Sequence, residues 1–147
     1  MYKHLLVPVD GSKFSLKALD VAGGLAASIG AKLSVVTVSP PYPMIVTGDG
    51  YMLDLNTPSQ WEASTTQNAE KIRTTVEKRA KARGLKVNFT AITTDNPYEG
   101  IIKTAVKKKC DLIVMASHGR RGLSAILLGS ETTKVLTHTK LPVLVCR

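Results

Sequence analysis

Aromatic, cysteine and acidic residues are all scarce in this 147-residue chain, and each scarcity excludes something. Aromatics make up 5%, with one Trp, two Phe and four Tyr. None interleaves with the one dense basic run, Lys107-Lys108-Lys109, so no base-stacking surface is expected there. The two cysteines, Cys110 and Cys146, form no Cys-x-x-Cys pair and have no histidine at metal spacing, so no structural metal is expected. If one opens a strand and the other closes its neighbour, they stand roughly 15 Å apart, too far for a disulfide. No apolar run approaches the ~18 residues that span a bilayer. Leu5-Leu6-Val7 is too short for a signal-peptide core, and no small-residue cleavage site follows it, so a cytoplasmic, membrane-free protein is expected. Eleven acids against twenty Lys and Arg leave a net charge of +9. That excess suits a nucleic acid, an anionic ligand or simply a soluble surface. The lysines look dispersed along the chain, and the dense run closes a helix, where cations suit the macrodipole. A nucleic-acid partner is therefore not expected.

The chain does carry a regular alternation of strand and helix signals. Residues 4–9 read as a buried strand, because nothing in them alternates. Ser12 can cap a following helix with Ala18, Ala22, Leu25 and Ile29 on one face, and Gly30 stops it. A β-branched strand follows at 32–38. Residues 39–57 read as a long, breaker-rich loop flanked by Tyr51 and Trp61, which is usually a functional or mobile feature. Tyr51 and Trp61 could close over a ligand, but for Trp61 packing of its helix on the sheet is the expected role. Thr57-Pro58-Ser59-Gln60 is a capping box, opening a helix with Ala69, Ile72, Val76 and Ala80 on its stripe. The alternating strand 86–93 suits a sheet edge. Asn96-Pro97-Tyr98-Glu99 reads as a second capping box. Strand 112–116, a helical turn at 125–128, helix 130–138 and strand 141–145 complete the chain. Pro142 places that last strand at an edge or marks its first residues. The order βαβαβαβαβ implies one α/β domain over 1–147: a doubly wound open sheet of five parallel strands, order 3-2-1-4-5, with about four helices.

In such sheets a ligand lies beyond the carboxyl ends of the strands, at the reversal of strand order. Val9-Asp10-Gly11-Ser12 and the stretch 116–130 occupy that place. There is no Gly-x-x-x-x-Gly-Lys-Ser/Thr, no Gly-x-Gly-x-x-Gly after the first strand, and no Gly-x-Ser-x-Gly elbow. Instead, Ala116-Ser117-His118-Gly119 is followed by nine residues and then Gly129-Ser130-Glu131. A helix opening at Ser130 offers partnerless N–H groups, a dipole and a hydroxyl to a phosphate, and Arg120 and Arg121 could screen its charge. The same pattern could also be a tight turn with a serine cap. Asp10 could accept from ribose hydroxyls or simply cap its turn. His118 could serve as a base with Asp10 or Ser130, or as an ordinary hydrogen-bonding residue. His4 and His138 have no partner pattern and read as structural or exposed.

Residues 115–130, from Met115-Ala116-Ser117-His118-Gly119 to Gly129-Ser130, resemble the signature loop of the universal stress protein family. Residues 5–12 and 141–145 resemble its first and last strands. The likeness covers the chain apart from 39–57. The family's ATP-binding branch carries Gly-x2-Gly-x9-Gly-Ser/Thr; Gly119, Gly129 and Ser130 match, while Ala116 replaces the first glycine. The resemblance implies binding of ATP, or of ADP or AMP, with Mg²⁺ from solution, in a nucleotide-responsive regulator. Slow hydrolysis and a nucleotide-free protein-interaction module are the alternatives, and the Ser-Gly-Gly-x-Asp-Ser loop of related hydrolases is missing. It further implies that Asp10 faces ribose or adenine, that Pro8 and Val38 wall the adenine, and that Thr132 lies near the phosphates. Val9, Met115, Ala116, His118, Gly119, Arg120, Gly129, Ser130 and Glu131 complete the expected nucleotide contacts. A homodimer through the last strand, an unidentified protein partner and no catalytic residue are also implied.

Overall fold

The structure is a computed structural model that describes residues 1–43, 57–119 and 128–147. Five strands, β1 (His4–Pro8), β2 (Lys32–Ser39), β3 (Val87–Thr93), β4 (Leu112–Ala116) and β5 (Val143–Cys146), form one parallel sheet in the order β3-β2-β1-β4-β5. The helices are α1 (Lys13–Ile29), α2 (Pro58–Lys81), α3 (Pro97–Lys107) and α4 (Ser130–His138). The expected fold class and strand order are those observed.

Strand alternation divides the core between the two faces. Leu5, Val7, Leu33, Val35, Leu112 and Val114 meet Leu19, Ala22 and Ala26 of α1 and Ile72 and Val76 of α2. Leu6, Val36, Ile113 and Met115 meet Ile101 and Ala105 of α3 and Val135 of α4. Two layers of helices thus cover strands that are apolar on both sides, as parallel sheets require. β3 has no fully buried residue, in keeping with its alternation and edge position.

The local signals mostly act as read. Ser12 accepts from Ser15 N, and Gly30 closes α1 in the left-handed region at φ 67°. The Thr57–Gln60 capping box forms in full. Four expectations change. Asn96 makes no side-chain cap bond; Glu131 of α4 accepts from Tyr98 N at 3.0 Å instead, so a distant carboxylate holds the start of α3. The last strand lies at a sheet edge as Pro142 implies, but it begins at Val143 rather than at 141, with Pro142 just ahead of it and its carbonyl accepting from Ile113 N. Trp61 meets the ring of Tyr42 edge-on at 6.3 Å, so it packs against the end of the chain leaving β2. The lysines dispersed in sequence gather in space: every strand start has one nearby, and all strand starts lie at one end of a parallel sheet. The loop segment 44–56, including Tyr51, and residues 120–127, including Arg120, Arg121 and most of the expected helical turn, lie outside the described residues.

Candidate functional site

The carboxyl ends of β1 and β4 are neighbours because the strand order reverses there, β1 pairing with both β2 and β4. After β1 the chain turns at Asp10. Asp10 Oδ1 accepts from Ser12 N at 2.9 Å, and Gly11 takes φ 84°, a conformation that suits glycine. Ser15 Oγ donates to Ser12 O and accepts from Asp10 N. The turn is thereby fixed with one Asp10 oxygen committed to it.

After β4, Ser117 N donates to Cys146 O and Ser117 O accepts from Gly129 N at 2.6 Å. Thr132 Oγ1, in the first turn of α4, donates to Ala116 O at 2.9 Å. These bonds bind the start of α4 to the end of β4. Gly129 is the helix N-cap and supplies no side-chain bond. A helix start leaves its first N–H groups without intrahelical acceptors, so those of Ser130, Glu131 and Thr132 are turned toward whatever lies ahead of the helix.

The two motif glycines have different neighbours. A Cβ built on Gly119 would lie 3.0 Å from Asp10 Oδ2, so this residue brings the β4 loop against the Asp10 carboxylate. A Cβ on Gly129 would lie 3.1 Å from Ser117 O and 3.5 Å from His118 Cα, both backbone atoms. Gly129 is therefore needed for the contact between helix and strand, whatever else approaches it. His118 holds Ser117 Oγ at 3.0 Å through Nδ1, and its ring meets that of Phe14 at 5.9 Å.

The expected contact residues fall into groups. Asp10, His118, Gly119, Gly129 and Ser130 converge at this end and are exposed or half-buried. Pro8 and Val38 are half-buried near the ends of their strands. Val9, Met115 and Ala116 are buried at 2%, 5% and 7% exposure, so they can offer a ligand their backbone but not their side chains. The hydroxyl of Thr132 is spent on Ala116 O, and the Glu131 carboxylate on Tyr98 N and Lys134. Arg120 lies outside the described residues. His4 binds Ser34 Oγ and His138 stacks on Tyr98, both at a distance from this end's ligand groups. The sequence reading gave Ser12 its capping role and quoted Ser117 without a role, and it missed Ser15 and Phe14. Ser15 is a short hydroxyl residue beside a turn, the one signal that could have marked it.

A separate open cleft of about 300 Å³ lies between α1 and α2, lined by Gly11, Ser12, Leu16, Asn68, Lys71, Ile72 and Thr75. None of the expected nucleotide contacts lines it; the two regions meet only at the turn after Asp10. Both cysteines are free thiols, and burial pushes Cys110 up to about 11 and Cys146 above its ordinary value. Neither is a thiolate nucleophile at neutral pH. No helix of the described residues is long and apolar enough to cross a membrane.

Over residues 1–147 the chain matches the family model described as the universal stress protein family. Universal stress protein MJ0531 of Methanocaldococcus jannaschii is 31% identical to it, covering 100% of this chain and 83% of that protein. YxiE of Bacillus subtilis is 30% identical, with 100% of both covered. Among solved structures, MJ0577 superposes with a TM-score of 0.81 at 27% identity, covering 99% and 95% of the two chains. A universal stress protein in complex with cAMP gives 0.72 at 28% identity, covering 99% and 97%.

Proposed function

Because the chain belongs to the universal stress protein family, we propose that it holds an adenine nucleotide at the carboxyl ends of β1 and β4 and acts as a nucleotide-responsive regulator. The observation that carries this reading is the approach of Gly119 to the Asp10 carboxylate beside the start of α4. One end of that space offers an acceptor for ribose hydroxyls. The other offers helix N–H groups and the Ser130 hydroxyl to phosphates, an arrangement that favours anions without a dedicated basic residue. The cAMP complex of a relative supports an adenine ligand. ATP is the form proposed, with ADP or AMP as lesser ligands. Among the described residues no three His, Cys, Asp or Glu side chains are grouped to hold a metal, so Mg²⁺ would enter with the phosphates. Regulation is favoured over turnover. His118 is engaged with Ser117 and Phe14, and Asp10 with its own turn.

Titration calorimetry with ATP, ADP, AMP and cAMP at millimolar concentration tests this. Saturable heat from at least one of them is expected, and none from GTP at equal concentration. Silence from all four adenine nucleotides overturns the reading and leaves a protein-interaction module of the same fold. The same reading includes a homodimer through β5. That strand is a sheet edge with Leu144 39% exposed, and an unpaired apolar edge invites an isologous strand pair. Light scattering should give twice the 15.8 kDa chain mass; the chain mass itself at micromolar concentration overturns the dimer.

A further inference from the structure

A parallel sheet sends every strand start to the same end, and in this chain each start comes with a lysine. In sheet order these are Lys86 ahead of β3, Lys32 opening β2, Lys3 ahead of β1, Lys109 ahead of β4 and Lys140 ahead of β5. With strands about 4.8 Å apart, the five mark a row about 19 Å long. All five are exposed, and among the described residues none is in an ion pair. Among those residues, the only Asp or Glu within five positions of a strand start is Asp111. Its carboxylate is held by backbone, accepting from Lys3 N at 2.8 Å and His4 N at 3.0 Å. Lys108 adds a charge beside the row, its ammonium donating to Asn88 Oδ1 at 2.9 Å. The charge is close enough to act on a neighbour: Lys32 and Lys108 both oppose protonation of His4.

Compensation of helix dipoles can account for Lys109 and Lys140, each two residues past its helix, but not for the other three. That effect fades within the last helical turn. Lys3 follows no helix, and Lys32 and Lys86 lie three and five residues past theirs. Lys109 adds a second argument. It sits at φ 55°, the one non-glycine left-handed residue among those described, where glycine would be unstrained. The fold carries a charge there despite the strain.

From this placement we infer that the amino end of the sheet docks on the phosphate backbone of double-stranded nucleic acid, without sequence preference. A row one charge wide complements a linear polyanion better than the two-dimensional field of a membrane. Lysine ammonium groups neutralise phosphates but lack the fork that reads base edges. Among the described residues Tyr2 is the lone aromatic beside the row, so stacking on single-stranded bases has no platform there. The surface lies opposite the nucleotide end and does not depend on that reading.

Fluorescence anisotropy of a labelled, mixed-sequence duplex of about 20 base pairs, titrated at several salt concentrations, tests the inference. Five phosphate contacts give a slope of log affinity against log salt of about −4.5. The triple variant Lys32→Gln, Lys86→Gln, Lys140→Gln should lose at least about tenfold in affinity at about 50 mM salt and flatten the slope by about 3 units. The charge-matched control Lys13→Gln, Lys17→Gln, Lys103→Gln should stay within about twofold of wild type; exposed substitutions of this kind leave folding intact, which circular dichroism checks. Equal losses in both triples, or no duplex binding at low salt, overturn the inference. So does binding to anionic phospholipid vesicles without binding to the duplex, which assigns the row to a membrane surface.

Discussion

The two ends of the sheet are built on opposite terms. At the carboxyl end, backbone approaches backbone: Gly129 lies against Ser117, Gly119 against Asp10, and Thr132 is tied to Ala116. Side chains there are short and committed to one another, and what remains for a ligand is largely main-chain N–H. At the amino end the backbone is ordinary apart from the left-handed Lys109, and the side chains are long, charged and exposed. A site of the first kind is sensitive to a single added carbon; one of the second kind tolerates single changes and responds only to summed charge. Substitutions at the two ends should therefore differ in size and in kind.

The largest effect is expected from Gly129→Val. A valine Cβ would meet Ser117 O and His118 Cα, which are backbone and cannot rotate away. Helix α4 must shift, and with it the N–H groups proposed to face phosphates. ATP affinity should fall at least about tenfold, or 1.4 kcal/mol, and the melting temperature should fall as well. An unchanged melting temperature with lost binding would show that Gly129 serves the ligand alone. Gly119→Ala sharpens the point, because its added carbon meets a side-chain oxygen of Asp10 that has some freedom to move. It should weaken ATP binding while moving the melting temperature less than Gly129→Val does.

Next in size is Thr132→Val. The shape is kept but Ala116 O loses its hydroxyl donor at a buried position, worth about 1–3 kcal/mol. Urea unfolding should report a loss in that range; a neutral result would mean that the hydroxyl does not anchor α4.

The strands, their order and their helices were legible because hydrophobic pattern and local caps act within a few residues. Ser12, Gly30 and the Thr57–Gln60 box did what their positions imply. What was not legible needed the third dimension. Asn96 has the sequence of a cap, yet Glu131, 35 residues later, supplies the bond that holds the start of α3. The same carboxylate is also paired with Lys134, which offsets a charge that would oppose phosphate at the start of α4. Gly129 read as room for a phosphate, while its nearest neighbours are protein backbone. Lysines spaced tens of residues apart become neighbours only when every strand starts at one end.

Ala116 stands where the family motif has its first glycine, and the structure narrows the consequences. Ala116 pairs with Cys146 inside β4, and among non-glycine residues described only Lys109 has positive φ, so no strain is relieved by glycine here. The residue is 7% exposed and, by alternation from Val114, faces α1. Ala116→Gly should therefore destabilise the fold by about 1 kcal/mol through lost packing and strand entropy, a fall of about 2–4 °C in melting temperature. ATP affinity should change less than twofold. Tighter binding by fivefold or more would show instead that the methyl holds the ligand off the backbone.

The smallest effect belongs to the amino end and concerns pH. His4 lies below its ordinary pKa of 6.5, first because burial disfavours its charged form, then because Lys32 and Lys108 repel the proton. A backbone hydrogen bond with Lys108 and the charge of Asp111 pull the other way without overcoming these. A lowered pKa in the fold means that the unfolded chain binds this proton more readily. The contribution to stability is thus fully present above pH 6.5 and is lost as pH falls through the lower folded value. Urea unfolding at pH 7.5 and about pH 5.5 should show wild type losing more stability than His4→Gln, which can keep a hydrogen bond to Ser34 Oγ. Raising the salt should shrink the difference only in part, since screening reaches the lysine charges but not the cost of burial. A difference abolished by salt would make the lysine row, not burial, the larger cause. The same loss in both proteins would place the acid sensitivity elsewhere, with the carboxylate of Asp111 the next group to test: hydrogen bonds from His4 and Lys3 hold it below its usual range against the opposing effect of burial.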